Sequence, residues 1–294
     1  EEVQIRTTLR HFLDNEVLPE MGKWWEDGVF PSHLIRDFGK LGILGSILPK
    51  EYGTPALSSI SYGLTMYELE RIDSALRSCA SVQGSLVMHS IFTYGSKEQR
   101  DRYLPALAQG EQIGCFGLTE RQGGSDPSAM ETRARISGDH YVINGAKMWI
   151  TNGEIANIAI IWAKDEHDEI LGFIVPTNSS GFTAYPIKRK LSMRASVTSE
   201  LVLDNVKLPI EQVLPKAIGL SSALECLTQA RYSVAWGVLG ALEAVYEEAL
   251  SFATKRSTFG RPIASRQLIQ KQLVDMLSDH TRGLLLAWRL GKLK

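Results

Sequence analysis

Two short stretches of the chain carry the residues best suited to chemistry. Residues 116–126 read FGLTERQGGSD, and residues 147–152 read KMWITN. In the first stretch Thr119 supplies a hydroxyl, and the run Gly-Gly-Ser lets the main chain approach a bulky anion with its amide donors exposed. In the second, Trp149 offers a wide stacking face and Thr151 a hydroxyl, and an extended strand would place both on one side. Together the stretches predict a cradle for a redox ring and its diphosphate.

Each stretch also has a plainer interpretation, namely a glycine-rich turn for the first and a buried core tryptophan for the second. The spacing G-x-G-x-x-G is absent from the first stretch, and no strand–glycine–helix unit with a downstream acidic residue follows it. A nicotinamide site of the Rossmann type therefore lacks its required context. On the residues alone, the choice between a ligand cradle and the plainer interpretation stays open.

Composition limits the class of protein. The 294 residues are 44% hydrophobic and carry a net charge of -1, which argues against nucleic acid or an anionic membrane as the main partner. Cys79, Cys115 and Cys226 are far apart and lack CxxC spacing, so we expect neither a metal site nor a disulfide framework, and a reducing compartment fits best. No apolar run approaches the roughly 18 residues of a membrane span. We expect a soluble protein with no visible targeting segment.

The period of the apolar residues changes twice along the chain. It is helical from residue 1 to about 114, with Tyr67, Arg71 and Ala75 on one helix, strand-like from about 116 to 214, and helical again beyond about 220. In the middle part, the pair Asn144–Gly145 predicts a tight turn after a strand. The pattern by itself predicts an α+β protein of two or three domains. The apolar residues of the last part fall on two helix faces: Val238, Leu242, Val245, Tyr246, Ala249, and Leu273, Leu277, His280, Leu284, Trp288.

Blocks spread over the whole chain give it a resemblance to a known family. These blocks are LRSCASVQGSLVMH, CFGLTE with GSDPSAMETRA, NGAKMWITN, LSMRAS, ARYSVAWGVLGA and KRSTFGRPIASRQLIQK. In them the chain resembles the acyl-CoA dehydrogenases, which are FAD flavoenzymes, and in particular their glutaryl-CoA branch. One departure is Arg121, where the family usually has proline after Thr-Glu.

The resemblance implies an acyl-CoA dehydrogenase-like α+β fold. We expect an N-terminal helical domain at 1–115, a middle β-barrel-like sheet domain at 116–218, and a C-terminal helical bundle at 219–294. The family's catalytic base is a glutamate in a C-terminal block resembling Tyr-Glu-Gly-Thr, and no such block occurs here. We therefore name no catalytic base, and expect that residues 1–294 hold an incomplete bundle and are inactive by themselves.

The resemblance carries cofactor roles over position by position. A homo-oligomer, most often a tetramer, is implied because some of these positions reach the FAD of a neighbouring subunit. The plainer interpretation of KRSTFG is a helix C-terminus with Gly260 as its cap, and both can hold. The contacts within one subunit correspond to Phe116, Leu118, Thr119, Gly124, Ser125, Trp149, Ile150 and Thr151. Those reaching the neighbour's FAD correspond to Arg256, Phe259 and Gln267.

Arg77 limits the range of substrates that the chain is expected to bind. It stands among small and apolar residues, where an unpaired guanidinium would be costly to bury, so it needs an anion such as a carboxylate. The alternative is a helix-surface ion pair with Asp73. The resemblance implies that Arg77 and Ser81 hold the free carboxylate of glutaryl-CoA and that Glu70 lines the same pocket, with a solvated helical Glu70 as the rival. The implied acyl-CoA contacts are Arg77, Ser78, Ser81, Glu70, Ser125, Leu224 and Arg231, the last with an ion pair in a helical bundle as its alternative.

The reaction that the resemblance implies is α,β-dehydrogenation of an acyl-CoA. For glutaryl-CoA the product then loses CO2 to give crotonyl-CoA, and an electron-transfer flavoprotein takes the electrons. An acyl-CoA oxidase using O2 and a non-catalytic acyl-CoA-binding form stay open as alternatives. His89 and His280 are expected to be hydrogen-bonded core residues. Bacterial cytoplasm and mitochondrial matrix both suit such an enzyme.

Overall fold

The order of elements is helices, then strands, then helices, which confirms the expected α+β class. The structure is a computed structural model that describes residues 2–294. The α-helices are α1 (Glu2–Phe12), α2 (Leu18–Asp27), α3 (Leu34–Lys40), α4 (Ser59–Ile72), α5 (Ser74–Ser81), α6 (His89–Tyr94), α7 (Lys97–Ala108), α8 (Leu220–Lys255) and α9 (Gln267–Leu293). The strands are β1 (Gly114–Gly117), β2 (Arg133–Ser137), β3 (His140–Thr151), β4 (Ile158–Lys164), β5 (Ile170–Pro176), β6 (Phe182–Pro186), β7 (Thr198–Pro209), β8 (Val213–Ile218), β9 (Ser257–Thr258) and β10 (Arg261–Pro262).

Contacts group the chain into two compact units. The helical unit comprises residues up to Met21, Ser58–Arg77 and Tyr232–Lys294, and the mixed unit comprises Gly22–Leu57 and Ser78–Arg231. The three consecutive domains expected from the sequence stay a prediction.

A sheet in the order β6-β7-β3-β2-β4-β5-β8 dominates the mixed unit, and β1 pairs with β4 in parallel. Side chains of β4 alternate between two buried clusters: Ile160 and Trp162 pack in one, Ile161 and Ala163 in the other. Because successive strand residues point to opposite faces, one strand supplies two cores. β1 lies against this doubly buried strand, so the loop that follows Gly117 starts from a fixed point.

The predicted turn at Asn144–Gly145 is wrong, because β3 runs through both residues. Gly145 has φ of 151°, and its pairing with β7 shifts register at this point. A Cβ on Gly145 would overlap the Thr132 side chain, so a glycine is needed for the close approach. The Asn144 side chain accepts a hydrogen bond from the Asn205 N–H at 2.8 Å. The pair forms a bulge within a long strand, where its composition had favoured a hairpin.

The single helix expected across Tyr67 and Ala75 is also interrupted. α4 ends at Ile72, and Asp73 is extended, with φ of -163° and ψ of 142°. The Asp73 carboxylate accepts the N–H of Ala75 at 2.7 Å, which satisfies a free donor at the start of α5. The chain therefore bends between two helices at this acidic residue.

A buried carboxylate joins the helices of the helical unit. Glu68 on α4 receives hydrogen bonds from Arg6 at 2.8 Å, Arg10 at 2.8 Å and Arg71 at 3.0 Å. Glu243 on α8 also contacts Arg6 at 3.0 Å and Arg10. Since each charge has partners, the network links α1, α4 and α8 without leaving an unpaired buried ion.

α8 packs through a face different from the predicted apolar one. Val238 is 50% exposed and Val245 59% exposed, whereas Tyr232, Trp236 and Leu239 are buried. Within the helical unit, the glycines on this helix allow α4 to approach more closely than larger side chains would.

We expect Gly240→Ala to lower the free energy of unfolding by about 2 kcal/mol, since a Cβ there would overlap the Tyr67 carbonyl oxygen. Gly22→Ala is the matched control. That position on α2 has nothing within 4 Å of an added Cβ, so helix propensity should raise stability by about 0.5 to 1 kcal/mol. Denaturant unfolding of both variants measures the difference. Equal effects at the two positions would contradict the close-packing argument.

Candidate functional site

The two chemically suited stretches meet at one cleft in the mixed unit. Its volume is about 180 Å³. All of the residues predicted to contact a flavin within one subunit line it, with the exception of Ser125, which is exposed on the neighbouring loop. The lining residues are Val82, Leu86, Phe116, Leu118, Thr119, Gly124, Pro127, Trp149, Ile150, Thr151 and Leu227.

Trp149 presents an aromatic face to solvent. Its side chain is 59% exposed, so the interpretation as a buried core tryptophan is wrong. Its backbone has φ of 63°, and the pairing of β3 with β7 is irregular between Lys147 and Ile150. Trp149 and Thr151 both line the cleft, but through this bulge and not through the extended strand that the sequence suggested. A left-handed tryptophan is strained, and such strain persists only where the surroundings hold it.

The glycine-containing stretch forms a turn beside the cleft. Glu120 and Gly123 exchange backbone hydrogen bonds of 3.4 and 3.2 Å. A Cβ on Gly124 would meet nothing within 4 Å, so a ligand can come close to the main chain here. Arg121 is exposed and lies 3.4 Å from Glu200. The turn and the proposed cradle are therefore compatible, and Arg121 in place of proline has not removed the turn.

The cleft suits a flat ring with a polar edge. Phe116, Leu118 and Ile150 supply an apolar wall, and Trp149 an aromatic face. The hydroxyl groups of Thr119 and Thr151 bring hydrogen-bonding groups to the same cleft. An apolar pocket with a few convergent polar groups is typical of cofactor sites. These residues fit the flavin ring that the sequence resemblance implied.

A buried ion pair ties the two stretches together behind the cleft. Lys147 Nζ donates to Glu120 Oε1 at 2.7 Å and to the Leu118 carbonyl oxygen at 3.2 Å. Lys147 and Glu120 are both buried. Burial lowers the pKa of Lys147 to about 8, although Glu120 favours its charged form. Sequence reasoning assigned no role to this pair, although a lysine inside an apolar strand signals a need for a buried partner.

Glu120 is satisfied by several donors besides Lys147. Its oxygens accept from the Thr132 hydroxyl at 2.6 Å, the Thr132 N–H at 3.1 Å and the Glu131 N–H at 2.6 Å. Burial by itself would raise the pKa of this carboxyl, but Lys147 and the Thr132 and Glu131 hydrogen bonds hold it below its usual value. The Glu120 carboxylate therefore holds the segment after β1 against residues 131–132, which lead into β2.

In the helical unit, Arg77 is paired with Glu70. Arg77 Nε lies 2.6 Å from Glu70 Oε2, and Nη2 lies 3.4 Å from Oε1. Ser74 donates to Glu70 Oε1 at 2.7 Å. Glu70 is 6% exposed and Arg77 9% exposed, so the solvated glutamate is wrong. The pairing of Arg77 with Asp73 is wrong as well, because the Asp73 carboxylate accepts from the start of α5.

Gly237 on α8 packs directly against this pair. A Cβ at Gly237 would overlap Glu70 Oε2 and lie 3.3 Å from Arg77 Cγ. Sequence reasoning missed this contribution, although an isolated glycine within a long helical pattern often marks close packing. The absence of a side chain at Gly237 leaves room for the carboxylate.

The other predicted substrate residues lie on α5 and α8. Ser78 and Ser81 are buried on α5, whereas Leu224 and Arg231 are exposed on α8. Within residues 2–294 no ion pair involves Arg231, so its ion-pair alternative is wrong.

The residues predicted to reach a neighbouring subunit are exposed. Arg256 and Gln267 flank a small hairpin, β9-β10, whose tip is Phe259, 96% exposed, followed by Gly260. Both tip residues have positive φ, 51° and 76°. α8 does end at Lys255, so the segment begins at a helix C-terminus with a basic residue, as expected. Gly260, however, is a hairpin residue and not the cap of that helix, so this part of the interpretation is wrong.

The histidines make hydrogen bonds, as expected. His280 Nε2 lies 2.9 Å from the Tyr67 hydroxyl, and His89 Nε2 lies 3.4 Å from Thr93 Oγ1.

The cysteines are buried and free. Burial raises the pKa of the thiols of Cys79, Cys115 and Cys226 to about 12 each. In the described part of the chain, no cluster of His, Cys, Asp and Glu has the arrangement of a metal site. None of the helices from residue 2 onward has the length and apolar character needed to cross a membrane.

Comparisons with known proteins agree over the length of the chain. Models of the acyl-CoA dehydrogenase N-terminal, middle and C-terminal domains match residues 1–111, 115–206 and 218–294. The crystal structure of a glutaryl-CoA dehydrogenase from Mycobacterium smegmatis in complex with FADH2 is 49% identical, with a TM-score of 0.98, over 100% of this chain and 75% of that one.

Two curated relatives are similar over most of their length. An acyl-CoA dehydrogenase of Bacillus subtilis is 37% identical over 281 residues, which are 94% of this chain and 74% of the relative. The mitochondrial short-chain specific acyl-CoA dehydrogenase of Homo sapiens is 32% identical over 292 residues, 98% of this chain and 71% of the relative.

The buried pair predicts a particular pH dependence of stability. The pKa of Glu120 is below its ordinary value of 4.5 in the folded protein, so its contribution is complete above 4.5 and is lost as pH falls through the folded value. The wild-type protein should therefore lose stability on acidification more steeply than a Lys147→Met/Glu120→Gln double variant. Denaturant unfolding at about pH 7 and about pH 3.5 measures this. Parallel losses in the two proteins would contradict the assignment.

Proposed function

We propose a specific activity for this chain, which belongs to the acyl-CoA dehydrogenase family. The activity is FAD-dependent α,β-dehydrogenation of glutaryl-CoA, followed by loss of CO2 to give crotonyl-CoA. The observation that carries the choice of substrate is the buried Arg77, whose guanidinium is only partly engaged by Glu70. The 49% identity to a glutaryl-CoA dehydrogenase supports the same choice.

In this proposal the cleft of the mixed unit holds the flavin ring of FAD. Trp149 would stack on the ring, and the hydroxyls of Thr119 and Thr151 would form hydrogen bonds with its polar edge. Phe116 and Leu118 exclude water from one side of it. Bound FAD would accept a hydride from the carbon β to the thioester, and a general base, which we assign to no residue of 1–294, would take the proton from the α carbon.

Arg77 would bind the free carboxylate of the substrate. Glu70 takes the Nε side of the guanidinium at 2.6 Å, whereas within residues 2–294 Nη1 has no hydrogen-bond partner. A second carboxylate can therefore accept hydrogen bonds from the Nη1 side of the planar guanidinium. Glu70 in turn holds the guanidinium in one orientation, so that the dicarboxylic substrate is placed by a preset donor. Ser78 and Ser81 follow on the same helix as further polar contacts.

The remaining roles concern coenzyme A and the partners. Ser125, Leu224 and Arg231 would contact the coenzyme A portion, and Arg231 is exposed and without an ion pair among the described residues. We propose a homotetramer in which Arg256, Phe259 and Gln267 reach the FAD of a neighbouring subunit. The exposure of Phe259 supports this, since a bare aromatic at a hairpin tip gains from burial in an assembly. An electron-transfer flavoprotein would reoxidise the enzyme, in bacterial cytoplasm or mitochondrial matrix.

The function is tested by adding glutaryl-CoA and butyryl-CoA separately to the full-length protein reconstituted with FAD, since residues 1–294 contain no block like the Tyr-Glu-Gly-Thr that carries the family's catalytic glutamate. We expect glutaryl-CoA to bleach the flavin absorbance and to yield crotonyl-CoA and CO2, which mass spectrometry and gas analysis detect. Butyryl-CoA serves as the substrate of similar length without a free carboxylate. Faster bleaching with butyryl-CoA than with glutaryl-CoA would contradict the proposed specificity, and failure to bind FAD would contradict the flavoenzyme itself.

Arg77→Gln should separate the two substrates. Loss of a buried charge-assisted pair costs about 2 to 5 kcal/mol, so kcat/KM for glutaryl-CoA should fall about 30-fold or more, with a much smaller loss for butyryl-CoA. Arg282→Gln makes the same change at an exposed site on α9 and should leave both substrates unaffected.

A Glu70→Gln/Arg77→Gln double variant covers the case in which a lone buried Glu70 impairs folding, because it removes both charges. Equal losses of kcat/KM for the two substrates in the folded variants would show that Arg77 does not bind the free carboxylate of glutaryl-CoA.

A further inference from the structure

Lys147 occupies an unusual place behind the cleft. Its ammonium is fully buried and reaches from β3 to the segment that follows β1, where it contacts Leu118 and Glu120. A buried ion pair is a weak source of stability, and apolar residues of similar volume often stabilise a protein as well or better. The presence of a charged pair here therefore calls for a role besides stability.

The bond to Leu118 sets the direction of one peptide group. The bond between Leu118 and Thr119 is trans, like every peptide bond of residues 2–294. In a planar trans peptide the C=O and the N–H point in opposite directions. Because Lys147 holds the Leu118 carbonyl at 3.2 Å from behind, the Thr119 N–H points away from Lys147.

The Thr119 N–H is available to a ligand. Leu118 and Thr119 both line the cleft, and in the described part of the chain no backbone carbonyl accepts this N–H. The next peptide is held too, since the Met148 N–H donates to the Thr119 carbonyl at 2.8 Å. The carbonyl groups of Leu118 and Thr119 are thus both hydrogen-bonded to β3. The Thr119 N–H points away from β3 and, within residues 2–294, remains free to donate to a ligand.

We propose that Lys147 is a positioning residue that, through the Leu118 carbonyl and Glu120, aims the Thr119 N–H into the cleft as a fixed donor for an acceptor atom of the flavin ring. This inference rests on the proposed FAD function. Glu120 keeps the ammonium in place, and the backbone N–H groups of Glu131 and Thr132, which no side-chain substitution removes, anchor Glu120 on the far side.

A fixed donor affects the ring more strongly when the ring is reduced. Reduction adds electron density to the ring, and a hydrogen bond to a more negative acceptor is stronger. A donor aimed in advance also costs no reorganisation. If the Thr119 N–H loses its fixed orientation, FAD should bind more weakly and the midpoint potential of the bound flavin should fall. A purely structural role of Lys147 would not change that potential.

The test uses the whole protein with FAD and the Lys147→Met/Glu120→Gln double variant. Removing both charges together avoids an unpaired buried ion, so the variant should fold. We expect the Kd for FAD to rise about five- to tenfold, the worth of one net hydrogen bond, and the midpoint potential to fall. Fluorescence titration and a redox titration with reference dyes measure these quantities.

Thr132→Val is the matched control. It removes the 2.6 Å bond from the Thr132 hydroxyl to Glu120 but leaves the two backbone N–H bonds to Glu120 and the contacts of Lys147 with Glu120 and Leu118. It should lower the unfolding free energy while changing the Kd by less than about twofold and leaving the potential in place. The inference is overturned if the folded double variant keeps the wild-type Kd and potential, or if Thr132→Val shifts both as much. A wild-type protein that binds no FAD would instead overturn the proposed function.

Discussion

The cleft depends on the buried contact between Lys147 and Glu120. These residues come from the two stretches that surround the cleft, and their 2.7 Å contact joins them. Taking two charges out of water is expensive, and the cost is offset only when further hydrogen bonds satisfy both ions. Here Leu118, Glu131 and Thr132 complete the set. The segment after β1 is thereby held against β3, and Trp149 can remain exposed on a left-handed backbone because its neighbours are fixed.

The Glu70–Arg77 pair in the helical unit has the opposite character. In the Lys147–Glu120 pair the carboxylate is fully hydrogen-bonded, and we call such a pair closed. In the Glu70–Arg77 pair, by contrast, Glu70 contacts only Nε and Nη2 of the guanidinium. A closed pair can position other groups, and an open guanidinium can bind an anion. The Lys147–Glu120 pair therefore suits the support of the cleft, and the Glu70–Arg77 pair has room for a further anion. Gly237 makes the second pair possible, since any side chain there would displace Glu70.

Membership of the acyl-CoA dehydrogenase family agrees with this division. The family models follow the chain from end to end, and the similarity to the Mycobacterium smegmatis enzyme extends over 100% of this chain. The substrate, however, depends on a few side chains within a fold that many acyl-CoA dehydrogenases share. For this reason the proposed substrate rests on Arg77 and its surroundings and not on the fold.

The sequence by itself determined the order of helices and strands and the need of Arg77 for an anion, whereas it left the two stretches open between a ligand cradle and a plainer interpretation until the family resemblance was considered. The first follows from the period of apolar residues and the second from the cost of burying a charge, both of which act locally. Only the tertiary structure decided that Glu70 is the partner of Arg77, that Asn144–Gly145 forms a bulge, and that Lys147 reaches Glu120. Glu70 and Arg77 are only seven residues apart, but their pairing needs the bend between α4 and α5 and the space left by Gly237, and the other two depend on segments further apart, such as the approach of Thr132 to Gly145. Local patterns do not encode such contacts, because they arise from how complete elements pack.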